Sequence, residues 1–288
     1  MKKILSLTIG LAVITGINVK AQDLPQPSPA AKVEQRVGLT DISVSYSSPG
    51  VKGRVIWGGL VPYGEVWRTG ANKATAVTFS DDVKVNGKNL NAGTYALFTI
   101  PGEKEWTIIL SSNTEQWGSG SYKQEEDALR FNVKPGQASQ RERLTFTFEN
   151  TTENTTLLTL RWEKLSVAFP IVTEVDAKAQ NNIKEALASA KADDWQVYRN
   201  SARYYLQSGN SLDQALEWVD KALTIKNDNW YTHALKGDIQ AAMGKHKDAI
   251  ASNQKAIELG EAEAKADGSE FSYKKDLEEE INKWKANQ

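Results

Sequence analysis

The sequence contains no cysteine and only two histidines, His233 and His246. With no thiol there is no disulfide framework, no thiolate-held zinc or iron–sulfur centre, and no cysteine nucleophile. With both histidines beyond residue 230, a Ser–His–Asp triad or a histidine-rich metal centre is excluded from everything before them. His233 reads as a packing residue and His246 as part of a turn between helices. Glycine-rich phosphate loops are also missing: there is no G-x-x-x-x-G-K-[ST], and no G-x-G-x-x-G between a strand and a helix. No cofactor and no metal are therefore expected. Charge of one sign is lacking too, with 35 basic against 36 acidic side chains and a net charge of −1, which leaves no electrostatic footprint for nucleic acid.

Proline is missing from the last 118 residues: all eight prolines lie at or before Pro170. Alanine runs the other way, with ten between Gln22 and Pro170 and nineteen between Ala177 and Gln288. Proline is least tolerated inside helices and alanine is the best helix former, so strands are expected first and helices after. The expected fold class is β followed by α: an antiparallel β-sandwich or jelly-roll-like domain over 32–174, then an all-α helical-hairpin domain over 175–288 with a C-terminal capping helix.

What is present begins with an address. Lys2 and Lys3 precede an apolar run from Ile4 to Ile17, and Val19-Lys20-Ala21 places compact residues at the −3 and −1 positions of a signal-peptidase site. Residues 1–21 are expected to be a signal peptide cut before Gln22, the run being too short to span a bilayer. No cysteine is available to carry a lipid, so a lipoprotein is not expected. Loss of Lys2, Lys3 and Lys20 leaves the mature chain at about −4, exported to a bacterial periplasm or beyond, with no membrane span. Residues 22–31, with three prolines, read as an extended tether.

Strand signals follow at intervals of about ten residues. Ile42, Val44 and Tyr46 alternate with serines. Val83-Lys84-Val85 meets Asn86-Gly87, a strong hairpin signal because both turn residues tolerate positive φ. Tyr95–Ile100, Trp106–Leu110, Leu129–Val133, Leu144–Phe148, Leu157–Trp162 and Val167–Val172 continue the series. In the helical half Ala215-Leu216 recurs as Ala249-Ile250, and Lys221-Ala222-Leu223 as Lys255-Ala256-Ile257, both after 34 residues. That period resembles tetratricopeptide helix hairpins. Ile183, Leu187 and Ala190 mark a preceding helix, and Tyr273, Leu277, Ile281 and Trp284 stripe a final one.

The strings Gly53-Arg54-Val55-Ile56-Trp57-Gly58, Val61-Pro62-Tyr63-Gly64 and Trp67-Arg68-Thr69-Gly70-Ala71-Asn72 resemble the bacterial domain of unknown function 2911 family. Ala92-Gly93-Thr94-Tyr95, Ile100-Pro101, Trp106, Trp117-Gly118, Asp127 and the closing strand pair around Trp162 to Pro170 fit the same pattern. The resemblance covers about Pro29 to Ile171. It implies an exported bacterial β-domain, often followed by helical repeats, and hands over no catalytic residue.

Two segments are candidate sites. In Trp67–Asn72, Arg68 offers a forked, permanently charged donor, Trp67 a flat apolar face and Asn72 both donors and acceptors. With Arg54 and Trp57 this set suits a carboxylate, a phosphate or a sugar. The alternative is architectural: Arg68 in an ion pair with Glu65 or Asp41, and Gly70 and Asn72 shaping a turn. The second candidate is Ser111–Glu126, long for a connection between strands, where Trp117 and Tyr122 flank glycines. The alternative there is that Trp117 plugs one end of the sandwich.

The function expected is a non-catalytic binding or scaffolding module, with a small polar ligand on the β-domain and a peptide or protein partner on the helices. One alternative is a glycan-binding module, which needs Trp57, Trp67 or Trp117 facing solvent. The other is a hydrolase acting on glycans through carboxylates, for example Glu65 with Asp81 or Asp82.

Overall fold

The computed structural model describes residues 24–287. The expected leader and the cleavage point before Gln22 lie outside those residues. Ten strands come first: β1 (Ala30–Val37), β2 (Thr40–Ser47), β3 (Thr75–Phe79), β4 (Val83–Val85), β5 (Lys88–Leu90), β6 (Gly93–Ile100), β7 (Trp106–Ser111), β8 (Asp127–Val133), β9 (Gly136–Glu149) and β10 (Thr155–Thr173). Six helices follow: α1 (Val175–Ser189), α2 (Trp195–Ser208), α3 (Leu212–Ile225), α4 (Trp230–Ala242), α5 (His246–Ala266) and α6 (Lys274–Lys285).

The strands form two antiparallel sheets, one in the order β1-β2-β3-β6-β7-β8 and one in the order β5-β4-β10-β9. Sequence neighbours pair in both, and the β4–β5 hairpin is the excursion that carries the chain from one sheet to the other. Its turn is Asn86-Gly87, with φ of +49° and +77°, the combination that closes a two-residue hairpin. Between the sheets the inward residues of each strand, such as Ile42, Val44, Val77, Phe79, Leu97 and Ile108, form one buried core with Leu144, Phe146, Leu158 and Ile171 from the opposite side.

Two sequence expectations change. Leu157–Trp162 and Val167–Val172 belong to a single 19-residue strand, β10. Its buried apolar residues are even-numbered through Leu158, Leu160 and Trp162 and odd-numbered from Val167 through Phe169 and Ile171. The switch falls at Glu163, which takes φ +56° where the register with β9 shifts. A bulge there flips the alternation, so one strand reads as two. The proline-rich segment, expected to be a tether through residue 31, is held from residue 27 onward. Arg143 donates to the Pro27 carbonyl (3.0 Å) and Ser48 N–H to the Pro29 carbonyl (2.8 Å). β1 then opens at Ala30, and its first residue pairs with Ser47.

The helices pair as α2 with α3 and α4 with α5, and α6 closes the stack against α5. Ala215, Ala222, Ala249 and Ala256, the 34-residue echoes, are fully buried where the helices cross. Gly237 allows the closest approach, since a Cβ there would stand 2.4 Å from Asn253 Oδ1. Ser211 caps α3 by accepting from Gln214 N–H, and Asn229 caps α4 by accepting from Thr232 N–H. Leu277, Ile281 and Trp284 of α6 are buried, whereas Tyr273, just outside that helix, is 54% exposed. A single residue, Glu174, separates β10 from α1, and α1 lies on the β-domain: Lys178 donates to Asp81 and to the Leu39 carbonyl.

Candidate functional site

The Trp67–Asn72 string is a folded-back turn on the edge of β6. Trp67 exchanges both backbone hydrogen bonds with Thr99, at 2.8 and 2.9 Å, which continues the row that β3 begins at Thr75. Strand alternation therefore sends Trp67 into the sandwich and its neighbours outward. Inside, Trp67 joins Trp57, Trp106 and Trp162, with ring centroids 5.0 to 6.4 Å apart and mostly edge-to-face. Its indole N–H donates to the Gly70 carbonyl at 3.1 Å. Thr69 and Asn72 adopt φ of +54° and +58°. Thr75 Oγ1 donates to the Thr69 carbonyl and Asn72 Nδ2 donates to Ser47 Oγ, which locks the turn. A Cβ on Gly70 would stand 3.0 Å from Thr75 Oγ1 and 3.2 Å from the Ser47 carbonyl, so glycine is there for close packing.

Four of the seven residues singled out from the sequence are thereby committed elsewhere. Trp57 and Trp67 belong to the tryptophan cluster and Asn72 to the turn. Arg54 folds onto its own loop, donating to the Val51 and Gly50 carbonyls at 3.1 and 2.6 Å.

The remaining three meet on the outer face of the six-stranded sheet. That face carries a second apolar cluster, Ala74, Ala96, Phe98 and Ile109, with Val66 and Tyr122 packed on it. The long 112–126 loop crosses this face and is laced to the end of the string: Ala74 N–H donates to the Gln116 carbonyl at 3.0 Å, and Lys73 bridges to Trp117. Arg68 lies under the loop, where a Cβ on Gly118 would be 3.9 Å from its Nη1. Trp117, next to Gly118, is 77% exposed and does not plug the sandwich.

Arg68 has neither of the carboxylate partners suggested for it. Among the described residues it takes part in no ion pair, and Asp41 is held by Arg36 at 3.5 Å. Its Nε is buried with no acceptor. A buried donor left unpaired costs about 1–3 kcal/mol, and more when charged.

Tyr122 donates to both Asp127 oxygens at 2.9 and 3.0 Å, and Arg130 Nε donates to the same carboxylate at 2.8 Å. Burial, reinforced by the Asp127 carboxylate, pushes the Tyr122 phenol above its usual range, so it stays a donor at physiological pH. Lys73 pairs with Glu115 at 3.1 Å. Arg68, by contrast, has no counter-charge among the described residues. Lys73 and Arg130 escaped sequence reasoning; the opposite charges of Asp127 and Arg130, three residues apart, were the available signal.

The carboxylate pair of the hydrolase alternative is not assembled. Glu65 sits beside Gly64, whose N–H donates to the Pro101 carbonyl past the C-terminal end of β6. Asp82 accepts from Ala92 N–H just before its N-terminal end. An eight-residue strand separates them, roughly 23 Å at ordinary strand rise, against the ~5–10 Å that a glycosidase pair requires. Among the described residues there is also no group of three or more His, Cys, Asp or Glu that could hold a metal ion, and no helix long and apolar enough to cross a membrane.

The architecture defines an antiparallel two-sheet β-domain that delivers its chain directly into helical hairpins. The β-domain matches the model of the family described as Protein of unknown function (DUF2911) over residues 28–171, and the chain belongs to that family. None of the curated proteins matches it.

Proposed function

We propose that this protein is an exported bacterial binding module, without catalysis of its own, that takes a small anionic or polar ligand on the outer face of its β-domain. Export to the periplasm or beyond rests on the charge, apolar run and small-residue pattern of residues 1–21. The binding reading rests on one observation: Arg68, partly buried and without a counter-charge, lies under a loop whose tip presents an exposed indole. A guanidinium fork suits a carboxylate or phosphate, and Trp117 gives the apolar remainder of such a ligand a flat face. A sugar acid fits both elements, which keeps a glycan-binding role within this reading. The helices add a groove of about 370 Å³ lined by Gln180, Ile183, Leu187, Tyr205 and Trp218, suited to a peptide or protein partner.

The test is thermal unfolding of the chain and of Arg68→Ala across a panel of small anions, sugars and wall fragments. A ligand that binds only the folded state raises the midpoint by mass action. The expected result is a shift in the parent that is lost in Arg68→Ala and reduced in Trp117→Ala. A panel that shifts neither protein, with Arg68→Ala unfolding much earlier than the parent, would make the string architecture alone.

A further inference from the structure

The helical domain carries an aromatic shelf that neither the sequence motifs nor the β-domain site explains. Arg199 of α2 lies over the ring of Trp195, one turn before it, at 4.8 Å, and over Tyr231 of α4 at 5.6 Å. Tyr231 adjoins Trp230 at 5.7 Å, and Trp230 lies 5.0 Å from the exposed Tyr273, with ring planes 32° apart. No step along this line exceeds 5.7 Å. The shelf is held from behind. Phe271 packs edge-on against Trp230 at 4.9 Å, and a Cβ on Gly260 would stand 2.4 Å from the Phe271 ring, so that ring is seated directly on the α5 backbone.

Its charge is unbalanced. On the same helical stack Lys236 pairs with Asp220 at 2.7 Å and Lys274 with Glu261 at 2.6 Å. Arg199 and Arg203, one turn apart on α2, form no ion pair among the described residues. Arg199 donates only to the neighbouring Asn200 side chain, at 3.1 and 3.3 Å. Burial and the like charge of Arg203 draw the Arg199 guanidinium below its usual range, though a guanidinium stays charged throughout physiological pH. Two unneutralised guanidiniums in an acidic chain call for an anionic occupant, and the rings beside them call for one with broad apolar faces.

We infer that the face formed by Trp195, Arg199, Arg203, Tyr231, Trp230 and Tyr273 binds an acidic oligosaccharide. Sugar C–H faces lie on the rings and hexuronate carboxylates lie against the two guanidiniums. This surface is on a different domain from Arg68 and stands independently of the β-domain ligand.

The experiment is titration of the full chain with hexagalacturonate, read by tryptophan fluorescence and calorimetry, beside a neutral galactose oligomer of equal length and a short poly-glutamate. Hexagalacturonate should bind saturably and the neutral oligomer roughly tenfold more weakly or worse. Arg203→Gln and Tyr273→Ala, both at exposed positions and therefore expected to fold, should each weaken hexagalacturonate by about three- to tenfold. Because a sugar acid also suits the Arg68 site, the titration is repeated in an Arg68→Ala background, where Arg203→Gln and Tyr273→Ala should cause the same losses; hexagalacturonate binding that neither variant weakens there overturns the inference. The inference is overturned if hexagalacturonate shows no saturable binding up to about 10 mM. It is equally overturned if poly-glutamate binds as tightly while Tyr273→Ala weakens neither, since the surface would then read charge alone and suit an acidic protein segment.

Discussion

Lys178 on the first helix donates to Asp81 on the β-domain at 2.6 Å and to the Leu39 carbonyl at 2.8 Å, so one ammonium group pins the two domains together. Both side chains of the pair are about one-third exposed or less, which makes it worth more than a surface ion pair. Lys178→Met is expected to cost about 1–2 kcal/mol and to lower the melting midpoint by about 2–4 °C. Burial works against the Asp81 charge, but Lys178 and Ser80 outweigh it and hold the carboxyl below its ordinary value of 3.8. The stabilisation is therefore complete above that value and lost as pH falls through the lower, folded-state one. Melting curves of parent and Lys178→Met should be separated at pH 7 and draw together as pH falls below 3.8; separation independent of pH would place the effect elsewhere.

Asp238 behaves in the opposite sense. It faces Glu280 within the packing of α4 and α6, and burial together with that second carboxylate pushes its carboxyl up to about 7. The folded state then holds a proton that the unfolded state has lost, so stability falls as pH rises from about 4 through 7. The full shift corresponds to a ceiling of about 4 kcal/mol, and its residual exposure reduces this to roughly 1–2 kcal/mol. Asp238→Asn should leave the urea midpoint nearly unchanged at pH 4.5 and raise it at pH 8. A mutant that gains nothing at pH 8 would show that the carboxylate is well solvated.

Gly237→Ala would bring a methyl group within 2.4 Å of Asn253 Oδ1 and 3.2 Å of the Ala249 carbonyl. Asn253 is fully buried and donates to Glu280 at 2.8 Å, so it has little room to yield. Despite alanine's better helix propensity, the change should destabilise by about 1–3 kcal/mol through forced separation of α4 and α5. Denaturant unfolding followed by circular dichroism reads this directly, and a more stable mutant would mean the two helices part easily.

The tryptophans of the β-domain should divide sharply. Trp67→Ala opens the indole cluster and is expected to cost about 3–5 kcal/mol. Trp117→Ala, at an exposed position, should stay within about 0.5 kcal/mol of the parent. Urea midpoints of the two variants measured together check the partition.

Much of this architecture is legible in residue order because its signals are local. Asn86-Gly87 specifies a turn by its own backbone preference, and the 34-residue echo of Ala215 and Ala222 in Ala249 and Ala256 marks helix crossings without any partner being known. The bulge at Glu163 is not local: it is set by the register against β9, and nothing in the string Trp162-Glu163-Lys164 announces positive φ. The fate of Arg68 is hidden for the same reason, since a counter-charge or its absence is decided by residues brought from across the fold. The exposure of Trp117 was half visible, because glycines on its C-terminal side argue for a loop without saying which way the indole turns. The shelf around Arg199 depends on Tyr231 and Tyr273 arriving from later helices, so only Trp195 and Arg199, four residues apart, could have hinted at it.

The one-residue junction at Glu174 also sets a phase relation. Each residue added to a helix turns its face by about 100° and advances it about 1.5 Å. A single residue inserted between Glu174 and Val175 would swing Lys178 away from Asp81 and rotate every later helix with it. Natural length variation is therefore expected in the 112–126 loop or between the hairpins, and not at this seam, where strand and helix are geared tooth to tooth.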